Sequence, residues 1–208
     1  MNRSSRVVAT VLLGSAVGLG CSEAAAPDPP GTTKQPTALT ILRLPADAPP
    51  LFNDSVAFYA HVGEDAEGII YFQNASGGRG EKFARLRLDD ETLLSRPDGT
   101  PFGLNDSILI VMRVTDPKLL QIEMSPAGLR FRASDPAELS LEYEETDGDL
   151  DGDGDDDDDD DDEIEQILSI WRQEQPGDPF VKLGTVKTQG LRELKADLLG
   201  FTRFAVAY

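Results

Sequence analysis

The stretch Ile122–Glu145, IEMSPAGLRFRASDPAELSLEYEE, decides how the chain is read. Apolar residues alternate with polar ones in runs of four to seven, and Ser125-Pro126-Ala127-Gly128 and Asp135-Pro136 break the runs. Proline presets one turn dihedral and glycine accepts a positive one, so each break is a turn with a mechanism. Period-two alternation between turns predicts strands ending near Met124, then over Leu129–Arg132 and Ala137–Tyr143. In the last of these Leu139, Leu141 and Tyr143 share a face.

Immediately downstream the composition changes. Asp147, Asp149, Asp151 and Asp153 alternate with other residues, eight aspartates run from Asp155 to Asp162, and Glu163 follows. These 13 residues are a third of the 38 acidic residues, and Leu150 is the one apolar side chain among them. Dense like charge repels and has nothing to bury, which predicts a hydrated acidic loop over 145–163, disordered or ordered by calcium. Without it the net charge of −19 becomes −6, from 25 acidic and 19 basic residues. The acidity is local, and it disfavours nucleic acid and anionic lipid as partners.

The alternation continues on both sides. Upstream, Leu39, Ile41 and Arg43 suggest a short strand. Asn53–Val62 places Val56, Phe58, Ala60 and Val62 on one face, with Tyr59 and His61 on the other. Ile69–Gln73 reads as its hairpin partner across the turn Gly63–Gly68. Lys82–Leu88 sets Phe83, Arg85 and Arg87 against Ala84, Leu86 and Leu88. Ser107–Val114, SILIVMRV, is nearly all apolar and predicts a central strand buried on both faces. Downstream, Ile164–Arg172 fits either a helical face or a strand, and its β surroundings favour the strand, with Trp171 in the core. Further strands are expected around Val181–Leu183, Val186–Thr188, Leu194–Leu198 and Phe204–Tyr208. Many short strands divided by turns predict an all-β fold, an antiparallel β-sandwich, over 38–208.

At the start of the chain Arg3 and Arg6 precede an apolar run, Val7–Leu19, of 13 residues. As a helix it is about 20 Å long, short of the roughly 30 Å hydrocarbon core, so residues 1–20 read as a secretory signal peptide. The single cysteine, Cys21, follows Gly20 and resembles the lipidation site of bacterial lipoproteins. That resemblance implies a diacylglyceryl group on Cys21, export to the cell envelope and membrane anchoring. Gly18 and Leu19 depart from the usual leucine and small residue there, and ordinary cleavage after Ala24-Ala25-Ala26 is the alternative. Ser22–Thr37, with four prolines, reads as a tether, giving an anchor segment of 21–37.

One cysteine excludes an intrachain disulfide, and the single histidine, His61, excludes a two-histidine metal site. The chain contains no G-x-S-x-G, H-E-x-x-H or phosphate-loop motif. Asp147-Gly148-Asp149-Leu150-Asp151-Gly152 has the leading pattern of a calcium loop, with Asp153 at its seventh position and Asp158 at its twelfth. A second register starts at Asp149, puts Gly154 sixth and ends at Asp160. A hydrated polyaspartate linker with diffuse counterions is the alternative. Ser125–Phe131, Pro136–Leu139 and the closing Gly200-Phe201-Thr202-Arg203-Phe204-Ala205-Val206 resemble the β-sandwich domain shared by zonula occludens, netrin-receptor and ankyrin proteins, in its bacterial secreted relatives. The resemblance implies a scaffold that binds a protein or envelope partner. Some relatives cut themselves at a His-Phe-Ser site; here Thr202 offers a hydroxyl but Gly200 replaces the histidine, so no self-cleavage is expected. The sequence therefore reads as a non-catalytic binding module. A secreted hydrolase using carboxylates, a purely structural envelope protein and a small outer-membrane barrel are the competing readings.

Overall fold

Period-two patterning builds fourteen strands in a computed structural model that describes residues 29–146, 148–155, 159–188 and 191–208. They are β1 (Thr33–Lys34), β2 (Ser55–His61), β3 (Ala66–Gln73), β4 (Arg79–Leu88), β5 (Leu93–Ser95), β6 (Ser107–Val114) and β7 (Gln121–Ser125). The second half adds β8 (Arg130–Phe131), β9 (Ala137–Glu142), β10 (Ser169–Gln173), β11 (Phe180–Lys182), β12 (Thr185–Thr188), β13 (Glu193–Leu198) and β14 (Arg203–Ala207). One α-helix, α1, covers Asp159–Ile167. Seven strands form one sheet in the order β1-β11-β10-β14-β7-β6-β2, and five form another in the order β12-β13-β9-β4-β3. β5 and β8 make a two-stranded ribbon. Every pairing is antiparallel. The architecture is the expected antiparallel sandwich.

The core follows from the pleat. Ile110, Met112, Ile122, Met124, Ile170, Phe204 and Val206 project from the larger sheet. Ile70, Leu86, Leu139, Leu141, Leu194 and Leu198 meet them from the smaller one. Phe131 and Phe201 close one end, edge to face, with ring centroids 4.9 Å apart. On the outer face of the smaller sheet, cross-strand pairs such as Lys82–Glu142 at 3.0 Å and Arg85–Glu67 at 3.0 Å keep the surface wet.

Several expectations need correction. β2 and β3 are not a hairpin: β2 pairs with β6, and β3 pairs with β4 in the other sheet. A turn that is tight in sequence here carries the chain from one sheet to the other. Ser107–Val114 is buried on one face only, through Ile110 and Met112, while Leu109 and Arg113 face water. Phe83, placed by alternation beside Arg85 and Arg87, is fully buried. A register shift in the β3–β4 pairing between Ile70 and Tyr71 breaks the period there, so Phe83 and Ala84 both point inward.

The tether expected up to Thr37 is docked from Gly31 onward. Gly31 N–H donates to the Lys182 carbonyl, and Lys182 N–H donates to Thr32. Thr33 and Lys34 pair with Val181 and Phe180. After one 3₁₀ turn at Pro36–Ala38, Ile41 bridges Ala207. Because β14 alternates, Phe204 and Val206 face the main core while Ala205 and Ala207 face this strap. Their small side chains let Leu39 and Ile41 close over Trp171 and Phe180 in a second apolar cluster.

Candidate metal site in the acidic loop

The acidic segment joins β9 of the smaller sheet to β10 of the larger one, so it crosses one end of the sandwich instead of linking neighbouring strands. Its first half folds on itself. Asp149 accepts hydrogen bonds from Gly152 N–H at 2.7 Å and Gly154 N–H at 3.0 Å. Asp151 accepts from Asp153 N–H at 2.9 Å, and Asp153 from Asp155 N–H at 2.9 Å. Gly152 and Gly154 take φ of +84° and +98°, which residues with a side chain rarely adopt. The bend at Gly152, with the Gly152 and Gly154 N–H groups gathered on Asp149, brings Asp149, Asp151 and Asp153 together, with one carboxylate oxygen of each within 4.8 Å of the others. The group could hold a metal ion. The three occupy the first, third and fifth positions of the register that starts at Asp149. Asp147 and Asp158, the other two expected ligands, lie outside the described residues, as does Cys21.

The second half departs from the expected hydrated loop. Asp159–Asp162 form the first turn of α1, where carboxylates favour the positive end of the helix dipole. The helix takes Ile164–Ile167, and the strand favoured there starts only at Ser169. Helical spacing lets Ile164 rest on the core while Asp159, Asp160, Asp162 and Glu163 face outward. Asp161 is the exception, with 5% of its surface exposed. Its Oδ1 accepts from Leu150 N–H at 2.7 Å and Asp151 N–H at 3.2 Å. Tyr208 donates its hydroxyl to the Leu150 carbonyl, and the Leu150 side chain packs against the core. One peptide inside the polyanion is thus pinned from both sides. Burial, opposed by a hydrogen bond with Thr40 and helped by the charges of Asp151, Asp161 and Asp149, holds the Tyr208 hydroxyl above its ordinary value. A cleft of about 280 Å³ separates Asp149–Gly152 from Thr40–Arg43.

α1 is fastened at its other end. Tyr143 donates to Glu165 at 2.9 Å, and Lys187 Nζ lies 2.6 Å from the same carboxylate. Lys187 also reaches the Glu165 carbonyl at 2.9 Å, near the C-terminal end of the helix where a cation is favoured. The Lys187 hydrogen bond, helped by Tyr143 and opposed by burial, lowers the Glu165 pKa from 4.5. A depressed carboxyl contributes stability above its unfolded pKa and loses it as pH falls through the folded one. Acidification below about pH 4.5 should therefore release α1 before the sheets unfold. Amide exchange followed by NMR checks this: protection of Glu163–Ile167 should fall first, and Glu165→Gln should remove that acid step. Loss of protection in α1 and β9 together would contradict it.

Sequence reasoning found the three clustered aspartates but missed Asp161 and Tyr208. Leu150 carried the signal, since an apolar side chain amid carboxylates has reason to be buried. Gly200 has a steric role: a Cβ there would stand 2.8 Å from the Leu129 carbonyl oxygen. Gly200→His should therefore lower the thermal midpoint by several degrees, an overpacking cost of about 1–3 kcal/mol. A variant that melts with the parent would show that the β8 ribbon yields. No family model matches the chain, and neither the curated proteins nor the solved structures give a match.

Proposed function

We propose that the chain is an exported, lipid-anchored, non-catalytic β-sandwich that binds a protein or envelope partner, with an acidic loop that takes up calcium. The observation that carries the cation reading is the convergence of Asp149, Asp151 and Asp153 on turns made by glycine. All three donors are hard oxygens, the ligand type calcium prefers, and water completes a coordination of six to eight. Asp151 and Asp153 are exposed, open to a hydrated cation from solvent. Gly20-Cys21 after a short apolar run supports lipidation. The docked strap begins at Gly31, ten Cα-to-Cα steps from Cys21, a reach of at most about 36 Å. The Ser125–Gly128 turn and the closing β14 strand support the scaffold reading by resemblance.

Two measurements test the proposal. Calorimetry should give a saturable calcium isotherm with a dissociation constant of about 10⁻⁴–10⁻³ M. A heat no larger than that of free polyaspartate removes the site. Cys21→Ser should move the protein from the membrane fraction to the soluble one, and unchanged fractionation removes the anchor.

A further inference from the structure

A strand at the edge of a sheet presents unpaired N–H and C=O groups to any extended chain that reaches it. The two large sheets end in β1, β2, β12 and β3. β1 has only two residues, β12 has four and carries Lys187, and the β3 pairing has two register shifts. β2 has none of these protections. It is seven residues, SVAFYAH, without lysine or proline, in unbroken register with β6.

The hydrogen-bond parity of β2 is fixed by its ends. Val62 N–H donates to Asp106, and Val114 N–H donates to Asp54. Even-numbered residues therefore bond to β6, and the main-chain groups of Ala57 and Tyr59 point off the sheet. Val56 and Phe58 face the core yet stay half-buried, so the core is incompletely closed along this edge. On the outer face Tyr59 is 60% exposed, directly opposite Leu109 at 44%. Exposed carboxylates flank the strand at Asp54 on one side and at Glu64 and Asp65 on the other, and β2 itself holds no Lys or Arg.

We propose that β2 docks an extended segment of a partner protein, apolar at alternate positions and flanked by Lys or Arg, as an eighth strand of the larger sheet. Backbone pairing supplies the affinity, the Tyr59–Leu109 surface takes the alternate side chains, and the acidic ends select the flanking cations. A second copy in antiparallel pairing would set Asp54 near the acidic Glu64–Asp65 end of the first, which like charge opposes. This surface rests on the reading of the chain as a binding module and not on the calcium reading.

The probe is a fluorescent peptide, Lys-Lys-Thr-Val-Thr-Val-Thr-Lys-Lys, compared by anisotropy with the same peptide carrying Glu at its four ends. Titrations with calcium and with EDTA separate this edge from the cation site. The Lys peptide should bind at least about tenfold more tightly than the Glu peptide in both buffers. Ala57→Pro removes only an N–H that points away from β6, a position where an edge strand tolerates proline. It should weaken Lys-peptide binding at least about tenfold. Should Ala57→Pro fail to fold, Tyr59→Lys leaves the backbone intact and should weaken the Lys peptide by repulsion. A chain with Asp155–Asp158 replaced by Gly-Ser-Gly-Ser, which spares α1 and Asp161, should still bind. The proposal is overturned by no peptide binding, by equal binding to parent and edge variants, or by binding that disappears only with the aspartates. A dimer in sedimentation that Ala57→Pro dissociates overturns the choice of occupant.

Discussion

Trp171→Ala should cost about 3–5 kcal/mol of folding stability, the range for deleting a large buried aromatic. Trp171 is 1% exposed and packs beneath Leu39 with Phe180, Ala205 and Ala207. Its indole N–H donates to the Ala207 carbonyl at 3.0 Å. Lys34 and Lys182 place their ammonium groups 5.3 and 5.8 Å from the ring centroid, adding cation–π attraction. The alanine variant loses the ring and removes what Leu39 and Ile41 close upon, so strap and sheet both suffer. Trp171→Phe keeps most of the apolar contact but loses the hydrogen bond to the Ala207 carbonyl, and should cost less, about 1–3 kcal/mol. Urea unfolding followed by far-ultraviolet circular dichroism measures both, since the variants lack the only tryptophan. A loss below about 1 kcal/mol for the alanine variant would mean that the strap is not part of the folded body.

Saturating calcium should stabilise the domain by about 1.4–2.7 kcal/mol. The figure follows from mass action at about 10 mM calcium for a dissociation constant of 10⁻⁴–10⁻³ M, if calcium binds only the folded loop. Three carboxylates within 4.8 Å repel one another, and a divalent cation turns that repulsion into attraction. Replacing Asp149 and Asp151 together with Asn should abolish the calcium-dependent gain, because two of the three clustered carboxylates are lost. The same variant should be no less stable than the parent in EDTA, since relief of repulsion offsets the weaker acceptors. Denaturant titrations with calcium, with magnesium and with EDTA check this. An equal gain in parent and variant would place the effect on the aspartate run as a whole.

The sandwich was legible because turn chemistry and period-two alternation agree along most of the chain. Leu139, Leu141 and Tyr143 share a buried face, as alternation predicts, and so do Val56, Phe58 and Ala60 in sense if not in degree. What alternation cannot show is partnership. Nothing in Ser55–His61 or Ala66–Gln73 says that the turn between them changes sheet. Nor does it show a bulge, which turns Phe83 inward against the alternation. The acidic segment misled for a different reason: density of charge predicts hydration on average, while Asp161 is buried because two backbone N–H groups meet it. Of the candidate ligands, alternate spacing was enough to find Asp149, Asp151 and Asp153, whose approach needs only local bends. Tyr208 lies 58 residues from the peptide it holds, a separation no local pattern encodes.

The pin at Leu150 also bears on how the gene can drift. A run of one residue can lengthen or shorten without altering its character. Asp161 is counted from the helix that follows the run, and Leu150 from the turns that precede it. Codons gained between Asp155 and Asp159 would therefore leave both partners of the pin in place, and doubling the intervening length adds only about 0.6 kcal/mol of closure entropy. Natural variants of this chain should accordingly differ in the number of consecutive aspartates far more freely than in Leu150, Asp161 or Tyr208.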